Sequence, residues 1–351
     1  MANDRPSLLA TLDQATLHLF PGYFAMVMAT GAVAIAGHLL AMAWIAVPLV
    51  WLNTAFYLVL AGLTLARFVR HTRAFADDMR DHARGPGFFT IIAGTCILAS
   101  QYVIILERDR VGFALWLVAA VLWLVITYWF FVAVVVRPRK PTLEKGVNGA
   151  WLLVSVSTQA LSVLTALLPW PEAMGSSMLF LALSLHLIGC MLYLAIIPLI
   201  FYRLTFLRLE MSALTPPYWI NMGAVAIATL AGSTLLIEGR ADPLEQEFRS
   251  FILGFTVFFW SAASWWVPLL FGLMTWRHLV ARFPLTYDPQ FWGMVFPLAM
   301  YTTGSLRLIE AMELDFLRFV PAIFIWVALA AWLATLAAMF LHLSRAGSSP
   351  A

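Results

Sequence analysis

Groups able to do chemistry are few in this chain, because Asp, Glu, Lys and Arg together make up only 11% of it. The seven histidines are scattered and show no metal-ligand spacing. Acidic residues do not gather with them near one interface, as an integral-membrane enzyme requires. Neither a metal nor another cofactor is expected, and the chain does not read as an enzyme. Cys96 and Cys190 lie inside apolar runs and read as buried thiols rather than a disulfide. His186 is the one titratable side chain near the middle of an apolar run. It reads either as a neutral imidazole bonded to a neighbouring helix or as a proton sensor. Arg307 and Glu310, three apart on one helix, can pair, either as a structural link at the outer mouth or as a selectivity element. The sharpest stretch is Trp292-Gly293-Met294-Val295-Phe296-Pro297. A proline inside a helix frees a carbonyl and kinks the axis, and an aromatic just before the kink can aim its ring across a lumen.

The elements that must carry these groups follow from composition. The 351 residues are 62% hydrophobic, with a mean hydropathy of +0.88. There is too little charge to cover a water-facing surface, which excludes an ordinary soluble enzyme, a nucleic-acid-binding module and a disordered chain. With about 20 apolar residues per crossing, the sequence divides into ten spans, at about 22–41, 43–66, 87–106, 111–136, 148–168, 173–202, 217–237, 250–276, 288–309 and 317–343. The fold class is therefore all-α integral membrane. Residues 1–21 read as an interfacial helix rather than a signal peptide, because Asp4, Arg5 and Asp13 interrupt them. Residues 22–345 form a single ten-span membrane domain, and 346–351 a short tail.

Lys and Arg distribute unevenly between the two sets of loops. Fifteen fall with the N-terminus, including Arg67, Arg70, Arg73, Arg80 and Arg84, and six fall on the other side, among them Arg108, Arg240 and Arg307. Positive charge favours the cytoplasm, so both termini are expected there.

The spans alternate in character. Odd ones hold small and hydroxylated residues, as in Ala29-Thr30-Gly31-Ala32, Ala93-Gly94-Thr95, Ser157-Thr158-Gln159 and Thr302-Thr303-Gly304. Even ones are bulky, with Trp116, Trp123 and Trp129 in the fourth and Phe258, Phe259 and Trp260 in the eighth. Bulky side chains suit lipid, and small ones suit close helix contact or a lumen. Five hairpins giving five inner helices around a path fit this pattern, as does a set of packing helices with no lumen. Odd spans start about 65 residues apart, Gly31–Ala36 recurs letter for letter as Gly223–Ala228, and three odd spans end alike, at Glu107, Glu238 and Glu310. This suggests one hairpin reused. None of the spans holds an Asp, Glu, Lys or Arg near its middle. A charge there costs about 2.5–3.5 kcal/mol, and a path without one binds weakly and releases fast.

Phe24 to Ala36 resembles the first span of the tellurite-resistance/dicarboxylate transporter family, and Phe291 to Pro297 is similar to its ninth. Gly87-Phe88-Phe89-Thr90 and Gly94-Thr95 resemble its third. That family includes a bacterial tellurite-resistance channel, a fungal malate permease and the plant guard-cell slow anion channel. The resemblance implies ten helices as five hairpins around a central pore, a homotrimer, and anion permeation occluded by a Phe of the ninth span. That residue would be Phe296, with Phe291 the alternative and Pro297 the hinge. The expectation is thus a channel or facilitator of the bacterial inner membrane, passing small inorganic or dicarboxylate anions, with the lipid bilayer and no nucleic acid as its surroundings. Its lumen would be lined by Thr30, Gly31, Gly94, Thr95, Ser157, Thr158, Gly223, Gly232 and Gly304. The alternative is a proton-coupled carrier of malate or succinate using His186.

Overall fold

Proline and glycine decide how the inner helices begin. Each of the five odd spans opens with a short 3-10 turn rich in these residues, at Pro21–Phe24, Gly85–Phe88, Gly149–Leu152, Pro216–Trp219 and Pro289–Phe291. Proline suits a first turn because its missing N–H is not needed there. The computed structural model describes residues 8–208, 210–240 and 242–348. Ten long helices follow in order: α1 (Ala25–Leu39), α2 (Ala43–Arg70), α3 (Phe89–Ile104), α4 (Asp109–Val135), α5 (Leu153–Leu167), α6 (Glu172–Phe206), α7 (Ile220–Glu238), α8 (Pro243–Thr275), α9 (Trp292–Met312) and α10 (Phe319–Ser348). The described residues contain no strand.

The odd helices touch in a closed circuit, α1 to α3 to α5 to α7 to α9 and back to α1. Their opening turns close a second circuit at the N-terminal face. Each even helix lies outside, bridging two neighbours of the ring: α2 on α1 and α3, α4 on α3 and α5, α6 on α5 and α7, α8 on α7 and α9, α10 on α9 and α1. Trp44, Leu117, Phe180, Trp265 and Trp326, one on each even helix, are exposed apolar side chains, as a lipid-facing layer requires.

Among the described residues, nine of the ten helices are long and apolar enough to cross a membrane; α9 is the exception. Its Pro297, Tyr301, Thr302, Thr303, Gly304, Ser305 and Arg307 dilute its hydropathy. It is nonetheless buried between α7 and α1. Neighbouring helices shield it from lipid, so its polar groups need not face hydrocarbon.

The ends of the elements differ from the sequence expectation in two ways. Inner helices start two to five residues later, because the Pro- and Gly-bearing turn comes first. Outer helices run longer, and α10 continues to Ser348, so the expected tail at 346–351 begins inside a helix, with 349–351 outside the described residues. Within the segment expected to be interfacial, a helix spans Leu8–Leu17, with residues 1–7 outside the described set. Asp13 of that helix lies 3.2 Å from His71 and 3.5 Å from Arg70 at the end of α2.

Packing of the opening turns leaves no room for a side chain at Gly149. A Cβ there would lie 2.2 Å from the carbonyl oxygen of Pro217. Gly149→Ala is therefore expected to cost about 1–3 kcal/mol by overpacking. Gly62→Ala, inside α2 where a Cβ meets nothing within 4 Å, should cost nothing and can raise stability by up to about 1 kcal/mol. Thermal unfolding of the two detergent-solubilised variants checks this.

Candidate functional site

Two chambers lie along the axis of the ring. The first has a volume of about 490 Å³ and is lined by the opening turns of all five inner helices. Gly22, Ala25 and Met28 come from the first, Gly87 and Thr90 from the second, Ala150 and Leu153 from the third, Pro217 and Ile220 from the fourth, and Gln290, Gly293 and Phe296 from the fifth. The second chamber, about 210 Å³, is lined by the other ends of the same helices, including Ile35, Ile97, Ala160, Ile227 and Met300. The chambers share no residue. On four inner helices they are separated by a step of seven residues, which is about 10 Å of helix. On α9 the step is only from Phe296 to Met300, about 6 Å.

Phe296 forms the last surface of the first chamber on α9 and is 1% exposed. Gly223 makes room for it: a Cβ at 223 would lie 2.8 Å from Cγ of Pro297 and 3.4 Å from Cε1 of Phe296. Phe291 lies elsewhere, in a lateral apolar groove between α8 and α10 with Met274, His278 and Ala334. No Asp, Glu, Lys or Arg falls in the intervening segments. Among their polar side chains, Asn221 alone is buried with neither its oxygen nor its nitrogen bonded.

The charged groups sit at the chamber mouths. Arg84, Lys145, Arg203 and Asp288 line the first. All five inner helices point their N-termini into it, placing partial positive charge there. The turns at Pro21, Gly85 and Pro216 have no side-chain cap, but proline removes the N–H at 21, 86, 216 and 217. The N–H groups of Tyr23, Gly85, Gly87 and Tyr218 donate to the carbonyls of Phe20, Asp81, Arg84 and Thr215, so the helix dipoles rather than free donors carry the positive potential there. Asn148 and Asp288 cap the other two. His82, just before the Ala83–Arg84 edge, has its pKa lowered, first by burial and then by Arg137 and Lys140, against the pull of Asp81. At the second mouth Arg307 reaches Glu310 at 2.8 Å, the expected pair, and also Glu238 at 2.9 Å. The second partner is 69 residues away in sequence, beyond any local pattern.

The nine residues expected to line the lumen belong to neither chamber, and several of their hydroxyls are engaged by outer helices. Thr30 accepts from the Trp332 indole of α10 at 3.0 Å, Thr158 from Trp123 of α4 at 2.9 Å, and Thr95 shares a bond with Tyr57 of α2 at 3.0 Å. These side chains face outward, stapling outer helices to the ring. Ser157 bonds back to the carbonyl of Val154. Gly232 admits Thr256 of α8, Gly31 sits against Asn53, Ile97 and Gln101, Gly94 against α1, and Gly304 against the α7 backbone. Only Gly223 touches the aromatic at the barrier. His186 also lies off the axis. Its Nδ1 is 2.9 Å from Oε1 of Gln159, and its ring lines neither chamber. Among the described residues no group of three or more His, Cys, Asp or Glu is placed to hold a metal ion.

A family model described as voltage-dependent anion channel (SLAC1) matches residues 18–340. An uncharacterized membrane protein of Mycobacterium tuberculosis is 39% identical over 153 residues, 44% of this chain and 77% of its own length. Two uncharacterized transporters of Methanocaldococcus jannaschii are 21% and 22% identical, each over 90% of this chain and over 92% and 91% of their own.

Outward-turned hydroxyls should matter to stability and not to permeation. Thr30→Val and Thr158→Val each strip the acceptor from an indole, at an expected cost of about 0.6–1.7 kcal/mol for a bond between membrane helices. Thermal unfolding should register that loss, while reversal potentials in planar bilayers stay at the unsubstituted value.

Proposed function

The chain belongs to the SLAC1 voltage-dependent anion channel family, and on that premise we propose that it is an anion channel or facilitator in which Phe296 closes the path between the two chambers. Members of this family are transporters or channels, and it is the tellurite-resistance/dicarboxylate transporter family of the sequence resemblance. One observation carries the reading. A ring of five helices holds a chamber at each end, and the uncharged segment between them is shortest at a buried Phe beside a helix-breaking proline.

Selectivity in this reading comes from backbone rather than fixed charge in the barrier. Five helix N-termini, three of them uncapped, raise the potential of the first chamber. An anion entering there meets the positive ends of the helices before it meets the apolar constriction. A hydrophobic constriction gates by excluding water, and swinging the Phe296 ring aside would join the chambers. Gly223 supplies the space beside that ring and Pro297 the hinge. The Arg307–Glu238–Glu310 cluster holds α9 to α7 at the second mouth.

The basic bias of the loops supports a first chamber that faces the cytoplasm, with both termini on that side of a bacterial inner membrane. Residues 22–345 would act as one domain. A homotrimer with one path per protomer, and small inorganic or dicarboxylate anions as solutes, complete the proposal. Coupled transport through His186 draws no support from its off-axis position.

Phe296→Ala should raise anion conductance by on the order of ten-fold or more, since it removes the group that excludes water from the constriction. Phe291→Ala, in the lateral groove, should not. Flux of chloride, nitrate, malate and succinate in proteoliposomes, with and without a pH gradient, reads both variants. An unchanged Phe296→Ala flux removes the gate, and a flux that requires the pH gradient replaces the channel with a coupled carrier.

A further inference from the structure

Arg203 near the end of α6 holds a charge with no counter-ion. It is 9% exposed, lines the first chamber, and is within 4 Å of no carboxylate among the described residues. Burying a cation unpaired is expensive, and a chamber that keeps one has a use for it. Its Nη1 donates to the phenol oxygen of Tyr218, and the guanidinium carbon lies 5.8 Å from that ring's centroid. This contact fixes the plane of the group.

With Nη1 engaged, the opposite edge of the guanidinium remains, where Nε–H and Nη2–H point in parallel. Arg67 and Arg277 each bury an unbonded Nε, whereas Arg203 buries neither of its free nitrogens. Both therefore keep access to open space, and the chamber is the space that Arg203 lines. What this edge binds is illustrated within the protein. Arg84 uses its Nε and Nη2 to hold the Asp78 carboxylate, at 2.6 and 3.1 Å. Asp288, the one carboxylate lining the chamber, accepts from the backbone of Gln290 instead. Tyr218 itself belongs to the turn Pro216–Trp219, so the clamp that orients Arg203 also sets it beside the positive end of α7.

We propose that Arg203, at the N-terminal end of α7, is a binding station for planar oxyanions, a carboxylate or nitrate, in preference to a spherical halide. A two-pronged donor matches two oxygens in one plane and offers a halide no such match. The assignment deepens the transport reading and rests on it for its role in permeation, while its chemistry stands on the geometry of the chamber alone.

The test is thermal stabilisation of the purified, detergent-solubilised protein by sodium nitrate, sodium acetate and sodium chloride. The unsubstituted protein should show half-saturating concentrations for nitrate and acetate about ten-fold below that for chloride, the difference a charge-assisted pair of bonds supplies. Arg203→Gln should erase this preference. Arg203→Lys keeps the charge, loses the fork, and should erase it as well, which covers a glutamine variant that fails to fold. Tyr218→Phe, which keeps the fork but frees its plane, should weaken the preference without erasing it. Equal response to oxyanions and chloride in the unsubstituted protein, or a preference that survives Arg203→Lys, overturns the station. Flux in proteoliposomes is read in parallel. Absence of any anion flux removes the channel reading, and an oxyanion preference lost with Arg203 upholds the station independently.

Discussion

Everything in this architecture depends on five helix beginnings meeting edge to edge. The opening 3-10 turns form their own ring, and they approach so closely that side chains are excluded at their contacts. A Cβ at Gly87 would lie 2.8 Å from the backbone nitrogen of Gly22, and one at Gly149 closer still to Pro217. A 3-10 turn is narrower than an α-helical one, and Gly and Pro supply what it needs, close approach and a dispensable N–H. Three consequences follow from that one constraint. The helices splay into a chamber beyond the turns, their N-terminal dipoles converge on it, and their next turns close on an uncharged segment that α9 crosses in the fewest residues.

The outer layer solves a different problem. Between lipid-facing helices there is no hydrophobic driving force, so association falls to packing and interhelical hydrogen bonds. Each outer helix contributes at least one such bond to the ring. Tyr57 meets Thr95, Trp116 meets Thr165, Trp260 meets Ser305 and Trp332 meets Thr30. On α6 the carbonyls of Gly189 and Ala182 accept from Ser155 and Ser162. Indoles and phenols face inward to hydroxyls, and the remaining bulk of the same helices faces lipid. The path is thereby left uncharged, and apart from Asn221 the polar side chains of the segments between the chambers are already bonded elsewhere.

This division explains what could be read from the sequence. The alternation of small and bulky spans marks which helices are inner, and the structure agrees span by span. It does not mark which face of an inner helix meets the axis. α1 is buried almost all round, so Thr30 and Met28 look alike as inner residues, yet Met28 lines the first chamber and Thr30 faces α10. The Pro- and Gly-bearing starts were visible as boundaries, but their mutual contact depends on segments about 65 residues or more apart. Arg203 reads in sequence as one more loop-side cation. Its isolation from carboxylates, its clamp on Tyr218 and its open edge exist only once α6 and the turn before α7 are packed together.

The central claim is one path made of two chambers, parted at Phe296. Reaction of single introduced cysteines with a membrane-impermeant thiol reagent tests it most directly, since Cys96 and Cys190 are buried. Gly293→Cys should react from the N-terminal face alone, and Thr303→Cys from the opposite face alone. With Phe296→Ala added, each should react from both faces. Two cysteines that react from the same face in the presence of Phe296, or sidedness that persists without it, would contradict the account.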